Sequence, residues 1–198
     1  MRRVRYSCAI SLDGYIAGPG GEFDWIVIDP DIDFREMIGV FDTLLAGRRS
    51  FEVAAGGDQP LMGLPTYVFS RTLRQSDYRN VKIVGEDWKA VVQSLREGPG
   101  KDIWLFGGGT LFRSLVEAGL VDTVEVAVIP TILGGGIPLV GEPGARIPLT
   151  LTAQRTYDKT GTVSLVYAVN RSGPAASSAP AASAGAARPA TGSDTGRR

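Results

Sequence analysis

Three short segments of the 198-residue chain combine glycine, hydroxyl and guanidinium groups in patterns suited to holding an anion. In Ile103-Trp-Leu-Phe-Gly-Gly-Gly-Thr-Leu-Phe112, an apolar run passes through Gly107, Gly108 and Gly109 into a segment opening with Thr110 and Leu111. A strand that enters a helix through glycines lets backbone N–H groups and the positive helix end approach a phosphate with no Cβ in the way. The same residues also suffice for a plain tight turn. The second segment, Leu44-Leu-Ala-Gly-Arg-Arg-Ser-Phe51, repeats the pattern and adds Arg48, Arg49 and Ser50. Guanidinium groups grip phosphate bidentately, although a solvated Arg pair beside a turn fits as well. The third, Phe69-Ser70-Arg71-Thr72, places two hydroxyls and a guanidinium after an apolar run. Ligands of open α/β sheets gather at the carboxyl ends of strands, and three such ends in one small domain argue for one shared site.

Other chemistry is excluded by what the chain lacks. It has no His, which removes Ser-His-Asp and Cys-His nucleophile systems, HExxH zinc sites and the imidazole general base. The lone Cys8 sits in the apolar run Tyr6–Ile10 and reads as a small core hydrophobe. GxxxxGK[ST] is absent, and Gly107, Gly109 and Phe112 miss the third glycine of GxGxxG, so neither a Walker NTPase nor a standard Rossmann dehydrogenase fits. With 21 Lys+Arg against 21 Asp+Glu and no basic block, neither nucleic acid nor an anionic membrane is an expected partner. The N-terminal run is too short for a signal sequence, and no stretch approaches the roughly 18 apolar residues of a membrane span, so a cytoplasmic protein is expected.

The elements that must position these groups follow from periodicity. Val4–Leu12 reads as a strand ending at the turn Asp13-Gly14. Residues 32–40 carry a partial helical face, and Thr43–Ala46, Tyr67–Phe69, Val81–Val84 and Ile103–Phe106 read as short buried strands. Trp88, Val91, Val92 and Leu95 mark a helix stopped by Gly98-Pro-Gly100, and Leu111, Phe112, Leu115 and Val116 mark another closed by Gly119. Val121–Ile129 alternates as a long strand, and Ile147–Tyr157 with Thr162–Val169 forms a terminal hairpin. Strands alternating with helices, finished by antiparallel strands, predict a three-layer α/β domain over residues 1–171 with a mixed, mostly parallel sheet. Of the 27 residues in 172–198, 21 are Ala, Pro, Ser or Gly and none is a large hydrophobe, so a disordered tail is expected there. The glycine-rich stretch 11–21, followed by Trp25, reads either as a mobile loop over a site or as an exposed hairpin.

The ordered series SLDGYIA (11–17), LLAGRRSFE (44–52), VFSRTL (68–73), WLFGGGTLFRSL (104–115) and GLVDTVEVAVIPTILGGGIPL (119–139) resembles the dihydrofolate reductase-like superfamily. The resemblance is to the branch holding the reductase domain of bacterial riboflavin biosynthesis and its stand-alone relatives, and it spans nearly all of residues 4–170. It implies a central sheet flanked by helices, with NADPH lying across strand ends. By position, Gly107, Gly108, Gly109, Thr110 and Leu111 would hold the pyrophosphate, and Arg48, Ser50, Ser70 and Arg71 would surround the adenosine ribose and its 2′-phosphate. Ala9, Ile16 and Ala17 would line the nicotinamide site, and Asp13 and Trp25 are its substrate-side candidates. The resemblance also implies a homodimer, with 121–138 the stretch most able to lie near a symmetric contact. Where riboflavin-pathway reductases usually carry a Lys four residues before the Ser of SLDG, this chain has Ser7.

A hydride transfer needs a proton as well. Without His, a carboxyl or a bound water must supply it, and Asp29, Asp31 and Asp33 follow Trp25. Asp33, four residues before Met37, either points inward as the acid or stabilises a helix start. The expected activity is an NADPH-dependent reductase of a small heterocyclic, pterin- or pyrimidine-like, or imine substrate. A nucleotide or small-ligand binding protein without catalysis is the alternative.

Overall fold

Alternation between the two faces of one sheet organises the chain. The computed structural model describes residues 1–141 and 143–170. In chain order the elements are β1 (Val4–Ser11), β2 (Tyr15–Ala17), α1 (Phe34–Gly39), β3 (Phe41–Gly47), α2 (Arg48–Ala55), β4 (Thr66–Phe69) and β5 (Lys82–Val84). Then come α3 (Trp88–Glu97), β6 (Asp102–Gly107), α4 (Gly109–Glu117), β7 (Thr123–Ile129), β8 (Ile137–Pro138), β9 (Leu149–Tyr157) and β10 (Thr162–Val169). Eight strands form one sheet in the order β5-β4-β3-β6-β1-β7-β10-β9, parallel except where β10 joins β7 and β9 joins β10. The expected class and the terminal hairpin are therefore present.

One face buries Val4, Tyr6, Leu45, Ile103, Leu105, Val124 and Val126 under α3 and α4, with the Tyr6 ring stacked 4.1 Å from that of Phe112. Their neighbours in sequence, Leu44, Ala46 and Trp104, point the opposite way and join Phe51 of α2 and Met37 and Ile38 of α1. This period of two, read against helices on both sides, makes the three layers. The second helical layer is incomplete. It covers β3, β4 and β6, whereas over β1, β7, β10 and β9 the corresponding face opens into a cleft.

Two expectations shift. Residues 15–17 do not continue β1 as a hairpin but pair antiparallel with β8 in a separate two-stranded sheet. The terminal hairpin begins at Leu149 rather than Ile147. Of the stretch 121–138, β7 lies inside the sheet between β1 and β10, and β8 pairs with β2. The tail expected at 172–198 lies outside the described residues. Among the described residues no helix is long and apolar enough to cross a membrane.

Candidate functional site

The sheet order places the carboxyl ends of β4, β3 and β6 side by side, with Gly47 opposite Phe69 and Ala46 opposite Gly107. α2 and α4 therefore start next to each other. Their N-caps are Gly47 and Gly108, and neither cap has a side-chain hydrogen bond. The first-turn N–H groups of a helix have no intrahelical acceptor, so two sets of donors and two positive helix ends face one junction. A Cβ on Gly47 would lie 3.4 Å from the Gly108 nitrogen, and one on Gly108 would lie 3.2 Å from Ser50 Oγ. Gly107 is buried and turns the chain at φ 139°, a conformation that L side chains rarely adopt.

Arg48 and Ser70 are already engaged locally. The Arg48 guanidinium donates to Glu52 at 2.7 Å and Thr72 at 2.9 Å, and Ser70 Oγ accepts from the Thr72 and Leu73 amides. Those bonds shape a turn that presents Arg71 outward, and Arg71 has no carboxylate partner among the described residues. Arg48, Ser50, Ser70 and Arg71, with Gly108, Gly109, Thr110 and Leu111, line one cleft of about 1690 Å³ that continues to Ala9, Ile16 and Ala17. Of the cofactor-side residues singled out from sequence, Gly107 alone does not line it.

The substrate-side candidates sit elsewhere. Asp13 accepts from Ser11 Oγ at 2.7 Å and from the amides of Leu133 and Gly134 at 3.1 and 2.8 Å. These bonds, that from Ser11 first, hold its carboxyl below the usual range. It ties the turn after β1 to the β7–β8 connection and lies outside the cleft lining. Trp25 also lies outside that lining and is half-buried, its Nε1 donating to the Glu22 carbonyl at 3.1 Å, so it anchors its own loop. The neighbouring Phe23, Ile26, Val27 and Ile28 line the cleft instead.

The three acids after Trp25 all have structural partners. Asp29 is fully buried and accepts from the Asp31 amide and from both the amide and the hydroxyl of Thr160. Asp31 pairs with Lys159 at 2.6 Å. Asp33 is exposed at the cleft wall and accepts from the Glu36 amide at 2.9 Å, so of the two readings left open by the sequence its side chain takes the helix start, capping α1. A short polar side chain before a helix satisfies an orphan donor, which outweighs burial beside Met37.

The floor beyond Ala9 is the open face of β1, β7, β10 and β9. Arg5 and Glu125 form a two-pronged pair there, at 2.6 and 2.8 Å. Burial pushes the Cys8 thiol up to about 12, which keeps it protonated and unreactive. Sequence reading missed Glu125, Ser164 and Arg155 on this floor, and Trp88 at the end near β5. Glu125 carried a usable signal, an acid alternating with Val124 and Val126 in an apolar strand.

The RibD C-terminal domain family matches residues 2–163. The uncharacterized protein YyaP of Bacillus subtilis is 35% identical over 179 residues, covering 84% of this chain and 94% of its own. A putative riboflavin biosynthesis protein from Shewanella sp. PV-4 superposes with a TM-score of 0.71 at 24% identity, covering 85% of this chain and 99% of that one. Dihydrofolate reductase from Enterococcus faecalis, solved with NADP(H), superposes with a TM-score of 0.64 at 18% identity, covering 85% and 97%. This chain therefore belongs to the RibD C-terminal domain family, and it shares its fold with dihydrofolate reductase.

Proposed function

We propose that the protein is an NADPH-dependent reductase that passes a hydride to a small heterocyclic, pterin- or pyrimidine-like, or imine acceptor. The observation that carries this is the junction of two uncapped helix starts at Gly47 and Gly108, with Arg48 and Arg71 at the adjoining strand ends. Its donors suit a dinucleotide phosphate. The amides of Gly109, Thr110 and Leu111 would hold the pyrophosphate, and the guanidinium groups with Ser50 and Ser70 would hold the 2′-phosphate. When bound, the reduced nicotinamide supplies the hydride. Ala9, Ile16 and Ala17, which line the cleft, would position its ring, and Phe23, Ile26 and Val27 would shield that end from water. Because Asp29, Asp31 and Asp33 are committed, the proton for the reduced acceptor comes from water entering along the open floor.

That commitment of all three carboxyls favours one other reading, binding of a nucleotide without turnover. Titration with NADPH, followed by its oxidation with pterins, pyrimidines and quinoid compounds as acceptors, separates the two. Binding with acceptor-dependent loss of the reduced-nicotinamide absorbance is expected. Binding without turnover across the panel would favour the second reading, and failure to bind NADPH would overturn both.

A further inference from the structure

Four side chains on the open floor stand in one row. Ala9 of β1 is the register partner of Ala127 of β7, Ala127 of Ser164 of β10, and Ser164 of Arg155 of β9. Register partners project from the same face, and all four line the cleft. Three of its members, Ala9, Ala127 and Ser164, are small, and the row forms a trough at its middle, where larger side chains stand on both sides of Ala127. Glu125 and Val166 rise on one side, and Ile129 and Tyr157 on the other. Three strand spacings separate its ends, about 14 Å from Ala9 to Arg155.

The far end is a cation. Arg155 is exposed and its guanidinium stacks 4.6 Å over the Tyr157 ring. No carboxylate pairs with it among the described residues, whereas Arg5 on the same floor is neutralised by Glu125. Stacking on an aromatic face orients a guanidinium while leaving its N–H edge free for an oxyanion. Ser164 adds a hydroxyl beside it on the neighbouring strand.

We infer that Arg155 is a specificity-determining residue for the acceptor. The substrate lies across the strands along this trough, its reducible ring at Ala9 and an oxyanion, carboxylate or phosphate monoester, on Arg155. The inference rests on the reductase reading for the position of the ring, and it adds that the acceptor is elongated and anionic at the end remote from the hydride.

The test uses two probe pairs that differ only in the anion, folate against its dimethyl ester and flavin mononucleotide against riboflavin, titrated by fluorescence in the presence of NADP+. The native chain should bind at least one anionic member about fivefold or more tightly than its neutral partner. Arg155→Ala should remove that preference and leave the neutral member's affinity as it was, and Arg155→Lys should keep part of it. Preference in the folate pair alone identifies the oxyanion as carboxylate, and preference in the flavin pair alone as phosphate. Equal binding within both pairs, a preference that survives Arg155→Ala, or binding of none of the four probes would overturn the inference. NADPH titration of the same proteins separates the causes. Normal NADPH affinity with no anion preference sinks this inference alone, and absence of NADPH binding in the native chain removes the reading beneath it as well.

Discussion

The two halves of the cleft are built in different ways. The half proposed to hold the cofactor is assembled from residues close in sequence, where β3 runs into α2, β4 into its turn and β6 into α4, so each fragment carries its own glycine, hydroxyl or guanidinium. The acceptor half is assembled by register. Ala9, Ala127, Ser164 and Arg155 come from four strands and meet only once the sheet is paired. Its upper wall comes from the segment around Phe23–Ile28 and from α1, held down by Asp29 and Asp33. A local motif keeps its chemistry in isolation, whereas a cross-strand row has none until the fold exists.

The sharpest way to break this division lies inside the cofactor half, where adjacent glycines are assigned different tasks. A Cβ on Gly109 would come within 2.6 Å of the Gly141 nitrogen and 2.9 Å of the Pro138 carbonyl oxygen, both backbone atoms that cannot rotate aside. Gly109→Ala is therefore expected to cost about 1–3 kcal/mol of stability, read by thermal denaturation. Gly108 has φ −91° and ψ −171°, open to any residue, and its Cβ would meet only Ser50 Oγ. Gly108→Asp should fold, shown by circular dichroism, yet lose at least about tenfold in NADPH affinity, or about 1.4 kcal/mol, through carboxylate–phosphate repulsion. Normal NADPH binding by folded Gly108→Asp would reduce these glycines to a turn.

A smaller effect is expected at Arg48. Its side chain is 48% exposed and shared with Glu52, so solvent and that neighbour weaken its hold on an added phosphate. Arg48→Ala should lower the preference for NADPH over NADH by about fivefold. An unchanged ratio in paired titrations would move the 2′-phosphate contact to Arg71.

Legibility in the sequence follows the same division. The strands through Leu44, Val68 and Ile103 and the helices of Trp88 and Leu111 were readable because an apolar run or a 3.6 period is a local property. The Gly107–Gly109 and Arg48–Ser50 clusters were readable for the same reason. Asp33 was ambiguous because capping and inward acid differ only in the side chain's rotation, which depends on where α1 starts. Trp25 and Asp13 looked like ligand contacts by residue type, but their partners, the Glu22 carbonyl and the Leu133 and Gly134 amides, are backbone groups that a sequence pattern does not display. Arg155 was invisible for a further reason. β9 is exposed along nearly its whole length, so an Arg there has the signature of any solvated surface residue until register sets it opposite Ser164.

Asp29 sharpens the comparison from the acceptor side. Its carboxylate joins the segment after Trp25 to the β9–β10 turn through Thr160, far from the helix starts that would hold NADPH. Asp29→Asn keeps the shape and weakens the clamp, so the acceptor's KM should rise by about two- to threefold while NADPH affinity stays as it was. The same bond sets a pH dependence. Burial pushes this carboxyl up, but hydrogen bonds from Asp31 and Thr160 and the charge of Lys159 outweigh that and hold it below the ordinary value of 3.8. A group whose folded pKa is depressed contributes stability above its unfolded pKa and loses it as pH falls through the folded one. Native protein should therefore unfold at a higher temperature than Asp29→Asn from about pH 5 upward, and the two should converge as pH falls through the depressed native value. Equal melting at pH 7, or a rise in NADPH Kd as large as the rise in acceptor KM, would show that the clamp does not act on the acceptor half alone and that the two halves of the cleft move as one.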